Sequence, residues 1–258
     1  MDAPFPAGMV EEVERFLADD ARRPPGLDLY EDVFKTNMFF PLQRQAELRR
    51  MIQIARGHDF GWIKEAVRGE EPQSFGPRTV MEIGADKGGG LYHWCKCLST
   101  VKNVIASEIR GTPYCKLFEK SFPNIDFYWL QASRTSINQA SIGLGDRPET
   151  IVFLIDVLFI DGDKSAFLAD FDAYLPLMNP KGIVLMHDIN EPGPMRQAFE
   201  TVKARGYRTE EVIDISDARA EMDRAAVGIP VSCPHAGWLR HWRGRSCGVG
   251  VIYLEKTI

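Results

Sequence analysis

The chain has few cysteines, no long apolar run and no excess of positive charge. Five of its 258 residues are cysteines, and an odd number at irregular spacing does not resemble a disulfide framework. No stretch approaches the roughly 20 apolar residues that cross a bilayer. The net charge of −5 is unfavourable for a general nucleic-acid binder. We therefore expect no disulfide scaffold, no membrane partner and no nucleic-acid partner.

The composition is that of an ordinary globular protein. Apolar residues make up 45% and charged residues 26% of the chain, and a chain of this length buries a substantial core. The opening stretch, "MDAPFPAGMVEEVERF", is acidic where a secretory signal would be basic and then apolar. We expect a cytoplasmic, reduced protein, and the sequence leaves open whether it forms a homo-oligomer.

Short apolar runs alternate with helical patterns from Thr79 onward. The runs are TVMEIG, NVIASE, DFYWLQ, VLFIDGD and GIVLMHD, and helical patterns cover Gly90 to Leu98, Pro113 to Phe122, Thr135 to Leu144 and Ser165 to Met178. Such alternation predicts an α/β fold with a doubly wound, mostly parallel sheet. Two more strand-like runs, "YRTEEVIDI" and "GVGVIYLEK", are expected to pair antiparallel at the sheet edge and bring the strands to seven.

The chain divides into a helical N-terminal part and the sheet. Apolar residues fall at helical spacing twice before residue 77. The two faces consist of Val10, Val13, Phe16 and Leu17, and of Leu48, Met51, Ile52 and Ala55. We expect residues 1–77 to form a lid or cap, and residues 78–258 to form the main domain with an insertion at about 215–247.

A glycine-rich loop follows the first predicted strand. The stretch "EIGADKGGG" contains Glu82, Gly84, Gly88 and Gly90, and in such sheets ligands bind where the strands end. Its spacing differs from G-x-G-x-x-G, the dinucleotide-binding pattern. Glu108, at the end of the second strand, is placed to accept the hydroxyls of a ribose. The loop therefore indicates a cofactor with a ribose, or else a tight turn without a ligand.

Two acids follow the next pair of strands. "FIDGDKSAF" and "VLMHDINEPGP" place Asp161 and Asp188 at neighbouring strand ends, and carboxylates there suit a hard ion such as magnesium. A metal would orient an acceptor hydroxyl and lower its pKa, with Lys164 or His187 as general base. The alternatives are helix caps for the acids, a surface lysine and a strand-end histidine without catalytic function.

These motifs resemble the class I S-adenosylmethionine-dependent methyltransferases, from about Thr79 to the C-terminus. The resemblance implies a Rossmann-like methyltransferase fold. It also implies a set of cofactor contacts: Glu82, Gly84 and Gly88 at the methionine end, Glu108 at the ribose, Ala132 and Ser133 ("LQASRTS") beside the adenine, and Gly90, Asp161 and Asp163 as further cofactor-binding residues.

Around the fourth and fifth strands the chain is similar to the divalent-metal-dependent O-methyltransferases of the catechol and caffeoyl-coenzyme A type. Asp161, Lys164 and Asp188 match their pattern. Ile189 replaces the asparagine that completes it, which leaves His187 or Asn190 as the third metal ligand. "IDGD" followed by "HDI" also resembles cephalosporin-hydroxylase-like and macrocin-type sugar O-methyltransferases of natural-product pathways.

The insertion "VSCPHAGWLRHWRGRSC" is expected to form a substrate wall. Trp238 and Trp242 could stack on a ring while Arg240 holds an anionic group. A basic turn whose tryptophans pack on the core is the alternative. Structural zinc is a further alternative, with the ligands Cys233, His235, His241 and Cys247.

The sequence thus predicts an S-adenosylmethionine-dependent O-methyltransferase, assisted by magnesium and acting on a sugar or phenol hydroxyl of a small molecule. Natural-product biosynthesis is the expected context. Two alternatives are a cephalosporin-hydroxylase-like or NAD(P)-dependent oxidoreductase on a similar sheet, and a module that binds the cofactor without turnover.

Overall fold

The structure is a computed structural model of the chain. It describes residues 8–19, 43, 45–61, 76–131, 154–190, 192–213 and 247–256. The helix expected over Thr135 to Leu144 lies outside these residues. No helix in the described ranges has the length and apolar character needed to cross a membrane.

One mixed sheet organises the described part of the chain. Its seven strands are β1 (Thr79–Ile83), β2 (Asn103–Ser107), β3 (Asp126–Leu130), β4 (Ile155–Ile160), β5 (Met178–His187), β6 (Tyr207–Val212) and β7 (Val249–Lys256). The order is β3-β2-β1-β4-β5-β7-β6. Strands β1 to β5 pair in parallel, whereas β7 pairs antiparallel with both β5 and β6. The seven-stranded Rossmann-like sheet and its antiparallel C-terminal hairpin are confirmed.

Helices cover both faces of this sheet. They are α1 (Met9–Ala18), α2 (Gln45–Gly57), α3 (Gly89–Cys97), α4 (Cys115–Ser121), α5 (Phe167–Tyr174) and α6 (Pro194–Ala204). Helix α5 is shorter than expected because Pro176 lies in a 3-10 turn, Leu175–Leu177, and Met178 already begins β5. The expected helix over Ser165 to Met178 is therefore wrong at its C-terminal end.

Successive side chains of a strand point to opposite faces of the sheet, and this produces two hydrophobic cores. Val157 and Phe159 of β4 face one core, whereas Leu158 and Ile160 face the other, as the two-residue period of a strand requires. Helices α1 and α2 contribute to the first core together with α3 and α4. The described N-terminal helices thus share a core with the sheet. Whether residues 1–77 act as a lid stays a prediction.

A buried aspartate fixes the strands at the edge opposite the glycine loop. Asp156 is fully buried and accepts hydrogen bonds from the backbone nitrogens of Arg78 and Thr79 at 2.7 and 3.0 Å. Its other carboxylate oxygen accepts from Asn179 Nδ2 at 2.8 Å. Because its partners lie at the starts of β1 and β5, Asp156 aligns three strands.

The strand order reverses between β1 and β4. In doubly wound sheets a crevice opens at that switch point, outside the carboxyl ends of the strands. The predicted glycine loop and the strand-end acids all follow strands at this edge, so the fold gathers them in one place.

Candidate functional site

The glycine loop makes its turn against the end of β4. Gly84 has φ +84°, and a Cβ atom there would lie 2.7 Å from the carbonyl oxygen of Asp161. The nitrogens of Gly84 and Ala85 both donate to the carbonyl of Ser107, at 2.9 and 3.2 Å. Since a side chain at Gly84 would collide with backbone, glycine is required there.

Two further glycines let α3 approach its neighbours closely. Gly88 has φ +86°, and a Cβ atom would lie 3.0 Å from the ring of Tyr114. At Gly90 a Cβ atom would lie 2.5 Å from Oε1 of Glu82. The start of α3 therefore packs directly on a buried carboxylate, and its free backbone nitrogens face the crevice end of the helix.

Glu82 is the acid inside the glycine-rich motif, and it is buried in the middle of the sheet. Its Oε2 accepts a hydrogen bond from Trp94 Nε1 at 3.0 Å. Burial, and then the neighbouring carboxylate of Asp161, raise the pKa of Glu82 well above its usual value, and the hydrogen bond from Trp94 offsets only part of this rise. A cationic ligand beside Glu82 would stabilise its charged form.

Glu108, which follows β2, holds the loop from the other side. One of its oxygens accepts from the backbone nitrogen of Asp86 at 2.9 Å, and the other accepts from the backbone nitrogen and Nε of Arg110 at 3.1 and 3.2 Å. Arg110 also forms an ion pair with Asp86. Glu108 therefore fixes the loop in place, and its contact with a ribose stays a prediction.

A second group of charged side chains lies at the ends of β4 and β5. We call Asp161, Lys164, His187 and Asp188 the charged cluster. Residues Ile160 and Met186 are paired in register, which brings the residues that follow them together. Lys164 Nζ lies 2.5 Å from Asp161 Oδ1 and 2.8 Å from Asp188 Oδ2. The sequence prediction that these residues meet at one edge of the sheet agrees with this geometry.

His187 completes the charged cluster from the inside. Its Nδ1 lies 3.1 Å from Asp161 Oδ1 and 3.4 Å from Asp188 Oδ1. Asp188 follows with φ +65°, a left-handed conformation that aspartate tolerates better than most residues. This turn directs the Asp188 carboxylate back toward the histidine that precedes it.

The carboxylates determine the protonation states in this cluster. Burial alone would raise the pKa of Asp161, but His187 and Lys164 lower it below its usual range. Burial would lower the pKa of Lys164, but Asp161 and Asp188 raise it to about 12. In the same way, Asp161 and Asp188 overcome burial and raise the pKa of His187 well above its usual value. The two aspartates thus favour the charged forms of Lys164 and His187, and a general-base role for either residue stays a prediction.

The N-terminal helix α2 supplies two contacts that the sequence analysis missed. Gln43, just before α2, donates from Nε2 to Asp161 Oδ2 at 2.7 Å. Glu47 is 1% exposed, and its Oε2 lies 3.6 Å from His187 Nε2. Its other oxygen accepts from the backbone nitrogen of Gly248 at 2.8 Å. The sequence did contain a signal that Glu47 is buried. Glu47 lies four residues before Met51, so it falls on the apolar face of the helix.

Cys247 lies beside the same histidine. Burial raises the pKa of its thiol, and the neighbouring His187 offsets part of this rise. Ligand atoms of His187, Asp188 and Cys247 all lie within 4.8 Å of one another. Nitrogen, oxygen and sulfur together form a donor set suited to zinc rather than magnesium.

These residues do not fit the magnesium ion that the sequence predicts. Magnesium needs oxygen ligands in octahedral geometry, but the ammonium of Lys164 lies between the two predicted carboxylate ligands. Ile189, at the position of the missing ligand, is fully buried in apolar surroundings. Asn190 uses its backbone nitrogen to donate to the carbonyl of Cys247 at 2.9 Å, and its role as a metal ligand stays a prediction.

The remaining predicted site residues divide into two groups. Asp163 is exposed, and its Oδ1 accepts hydrogen bonds from the nitrogen and hydroxyl of Ser165 at 2.9 and 2.7 Å, as a local turn requires. Its cofactor contact stays a prediction. The other group lies outside the described residues: Ala132, Ser133, Cys233, His235, Trp238, Arg240, His241 and Trp242.

The part of the chain that carries this geometry also matches a known family. Residues 81–189 match a methyltransferase domain. The matched segment contains the glycine loop, Glu108 and the whole charged cluster. No curated protein sequence matches the chain.

Solved structures of methyltransferases are similar to this chain at low sequence identity. A proposed caffeoyl-CoA O-methyltransferase from Staphylococcus aureus is 12% identical, with a TM-score of 0.53, over 95% of this chain and 99% of that one. The O-methyltransferase from Bacillus cereus is 14% identical over 96% and 91% of the two chains, with a TM-score of 0.47. TomG, an O-methyltransferase from Streptomyces achromogenes, is 11% identical over 97% and 91%, with a TM-score of 0.48. At these identities the likeness concerns the fold.

Proposed function

We propose that the protein is an S-adenosylmethionine-dependent O-methyltransferase acting on a small-molecule hydroxyl. The observation that carries this proposal is the direct contact between the glycine loop and the charged cluster. The Gly84 backbone packs on the backbone of Asp161 so closely that no side chain fits between them. A cofactor held by the loop would therefore present its reactive end to the charged groups. The match of residues 81–189 to a methyltransferase domain supports the same reading.

The loop residues fit the chemistry of this cofactor. Glu82 is buried with a raised pKa, so a cationic ligand beside it gains a favourable interaction. The glycines at 84, 88 and 90 let the loop and the start of α3 pack closely on Asp161, Tyr114 and Glu82, which fixes the backbone beside the proposed cofactor. We assign these residues to the methionine end and Glu108 to the ribose. S-adenosylmethionine, when bound, supplies the methyl group on a sulfonium sulfur.

The charged cluster prepares the acceptor. Lys164 and His187 hold positive charge at the ends of β4 and β5, and such charge stabilises an oxyanion as a hydroxyl loses its proton. Asp161 holds both cations in place, since both contact its Oδ1. The Asp188 side chain is 27% exposed, so we assign Asp188 as the acceptor of the hydroxyl proton and its route to solvent. Without a metal, a phenol with a pKa near 10 is a better acceptor than a sugar hydroxyl.

Binding of S-adenosylhomocysteine to a matched pair of variants tests this assignment. Glu108→Ala removes a buried carboxylate at the proposed ribose site, whereas Glu119→Ala removes an acid on α4 that bonds Trp129 Nε1 at 2.8 Å in an exposed position. Isothermal calorimetry should show at least about a tenfold loss of affinity, about 1.4 kcal/mol, for Glu108→Ala alone. Equal affinity in both variants would refute the proposed cofactor site.

A further inference from the structure

The ammonium of Lys164 occupies the position that a metal ion would need. Its Nζ lies 2.5 Å from Asp161 Oδ1 and 2.8 Å from Asp188 Oδ2, so it already bridges both carboxylates. A divalent cation between the same oxygens would meet the ammonium at close range, and like charges at such a distance repel each other.

Both carboxylate oxygens of Asp161 already accept hydrogen bonds from protein donors. Its Oδ1 accepts from Lys164 and His187, and its Oδ2 accepts from Gln43. The Asp161 side chain is only 7% exposed, so water does not compete for these bonds. A metal bound through Oδ1 would compete with Lys164 and His187, and a metal bound through Oδ2 would compete with Gln43.

The protein's own cations offset all but one of the negative charges in this group. Glu47, Asp161 and Asp188 supply three carboxylates, while Lys164 and His187 supply two cations within 3.6 Å of them. The contribution of Glu47 comes from α2, more than a hundred residues away in the chain, and Gln43 enters from the same segment. The N-terminal helix therefore takes part in holding the charged cluster in its metal-free arrangement.

We propose that Lys164 takes the place of the divalent cation, so that this protein transfers methyl groups without a metal ion. This inference rests on the proposed O-methyltransferase function. In this proposal the Lys164 ammonium is the electrophilic group at the acceptor oxygen. Asp161 and Gln43 are positioning residues: Asp161 holds the ammonium, and Gln43 holds the Asp161 carboxylate.

Electron paramagnetic resonance of Mn²⁺ measures metal binding without any need for an acceptor. The wild-type protein should bind no Mn²⁺ with a Kd below about 1 mM at a site that depends on Asp188, and elemental analysis should find no stoichiometric zinc or iron. Mn²⁺ binding that Asp188→Asn abolishes would overturn the proposal, as would a stoichiometric metal in the purified protein. Mn²⁺ binding that Asp188→Asn leaves intact lies at another site and agrees with the proposal.

Lys164→Met tests the role of the ammonium directly. Removing it should create a Mn²⁺ site between the two carboxylates, whereas the matched control Lys203→Met, which removes a 50% exposed lysine on α6, should create none. A folded Lys164→Met variant without Mn²⁺ affinity would contradict the proposal. If that variant does not fold, the wild-type measurement decides alone.

The outcomes separate this inference from the proposed function. Failure to bind S-adenosylhomocysteine would reject the methyltransferase assignment and leave the Mn²⁺ result unchanged. Binding of S-adenosylhomocysteine together with Asp188-dependent Mn²⁺ binding would keep the function and reject the metal-free mechanism. Once an acceptor is found, turnover should be the same in EDTA and in magnesium.

Discussion

Asp161→Asn should be among the most destabilising single changes at the candidate site. It keeps the shape of the side chain but leaves Lys164 and His187 without the carboxylate that both contact. Removing one partner of a buried ion pair costs about 3–5 kcal/mol, and Asp161 is 7% exposed, so the full range applies. With an m value of about 3 kcal/mol per molar urea, the unfolding midpoint should fall by about 1–2 M.

A surface ion pair of the same chemistry supplies the control. Asp172 pairs with Arg205, with one N–O distance of 3.1 Å, but the Asp172 side chain is 50% exposed. Exposed pairs contribute about 0–1 kcal/mol, so Asp172→Asn should shift the urea midpoint little.

The double variant Asp161→Asn, Lys164→Met isolates the coupling between the two side chains. It removes one charge of each sign, so its cost should be about 0.5–3 kcal/mol less than the sum of the two single changes. If Asp161→Asn costs no more than Asp172→Asn, or if the double variant is strictly additive, the charged cluster is not a compensated network and the reasoning fails.

Two further predictions concern the histidine and the loop. The pKa of His187 is raised on folding, so its contribution is fully present below the unfolded value of about 6.5 and is lost as pH rises above it. Glu82, whose pKa is also raised, loses stability from its own lower unfolded pKa upward. His187→Gln should therefore make the loss of urea stability above about pH 6.5 shallower. An unchanged slope would contradict the ion pairing of His187. Gly84→Ala should destabilise the fold by clearly more than about 1–2 kcal/mol, since it meets both a positive φ and the Asp161 carbonyl. Gly206 has φ +88° and open space around it, so Gly206→Ala should show only the cost of placing alanine at a positive φ. Equal losses of stability in Gly84→Ala and Gly206→Ala would refute the close packing of the glycine loop.

Local sequence patterns were sufficient to predict most strands of the sheet. Strands β1, β2 and β3 lie within one residue of their expected ends, because continuous apolar runs bounded by turns indicate buried parallel strands. The start of β5 at Met178 was missed because Met178 continues the helical spacing of Phe171 and Tyr174. Pro176 was the better signal.

The contacts around the candidate site depend on long-range packing. Glu47 bonds Gly248 across 201 residues, and Gln43 bonds Asp161 across 118. No local pattern encodes such pairs. The position of Lys164 between two carboxylates is likewise a matter of tertiary geometry, since the same D-x-x-K spacing fits a lysine beside a metal. The sequence therefore predicted that Asp161, Lys164, His187 and Asp188 lie at one edge of the sheet, but neither the contacts of Gln43 and Glu47 nor the position of the lysine between the two carboxylates.

Calorimetric titration of the wild-type protein with S-adenosylhomocysteine, and separately with NADPH, tests the central claim most directly. The account predicts binding of S-adenosylhomocysteine at micromolar Kd or tighter, with the same affinity in EDTA, and no binding of NADPH. Binding of NADPH without S-adenosylhomocysteine would contradict the methyltransferase assignment and favour an oxidoreductase on the same sheet.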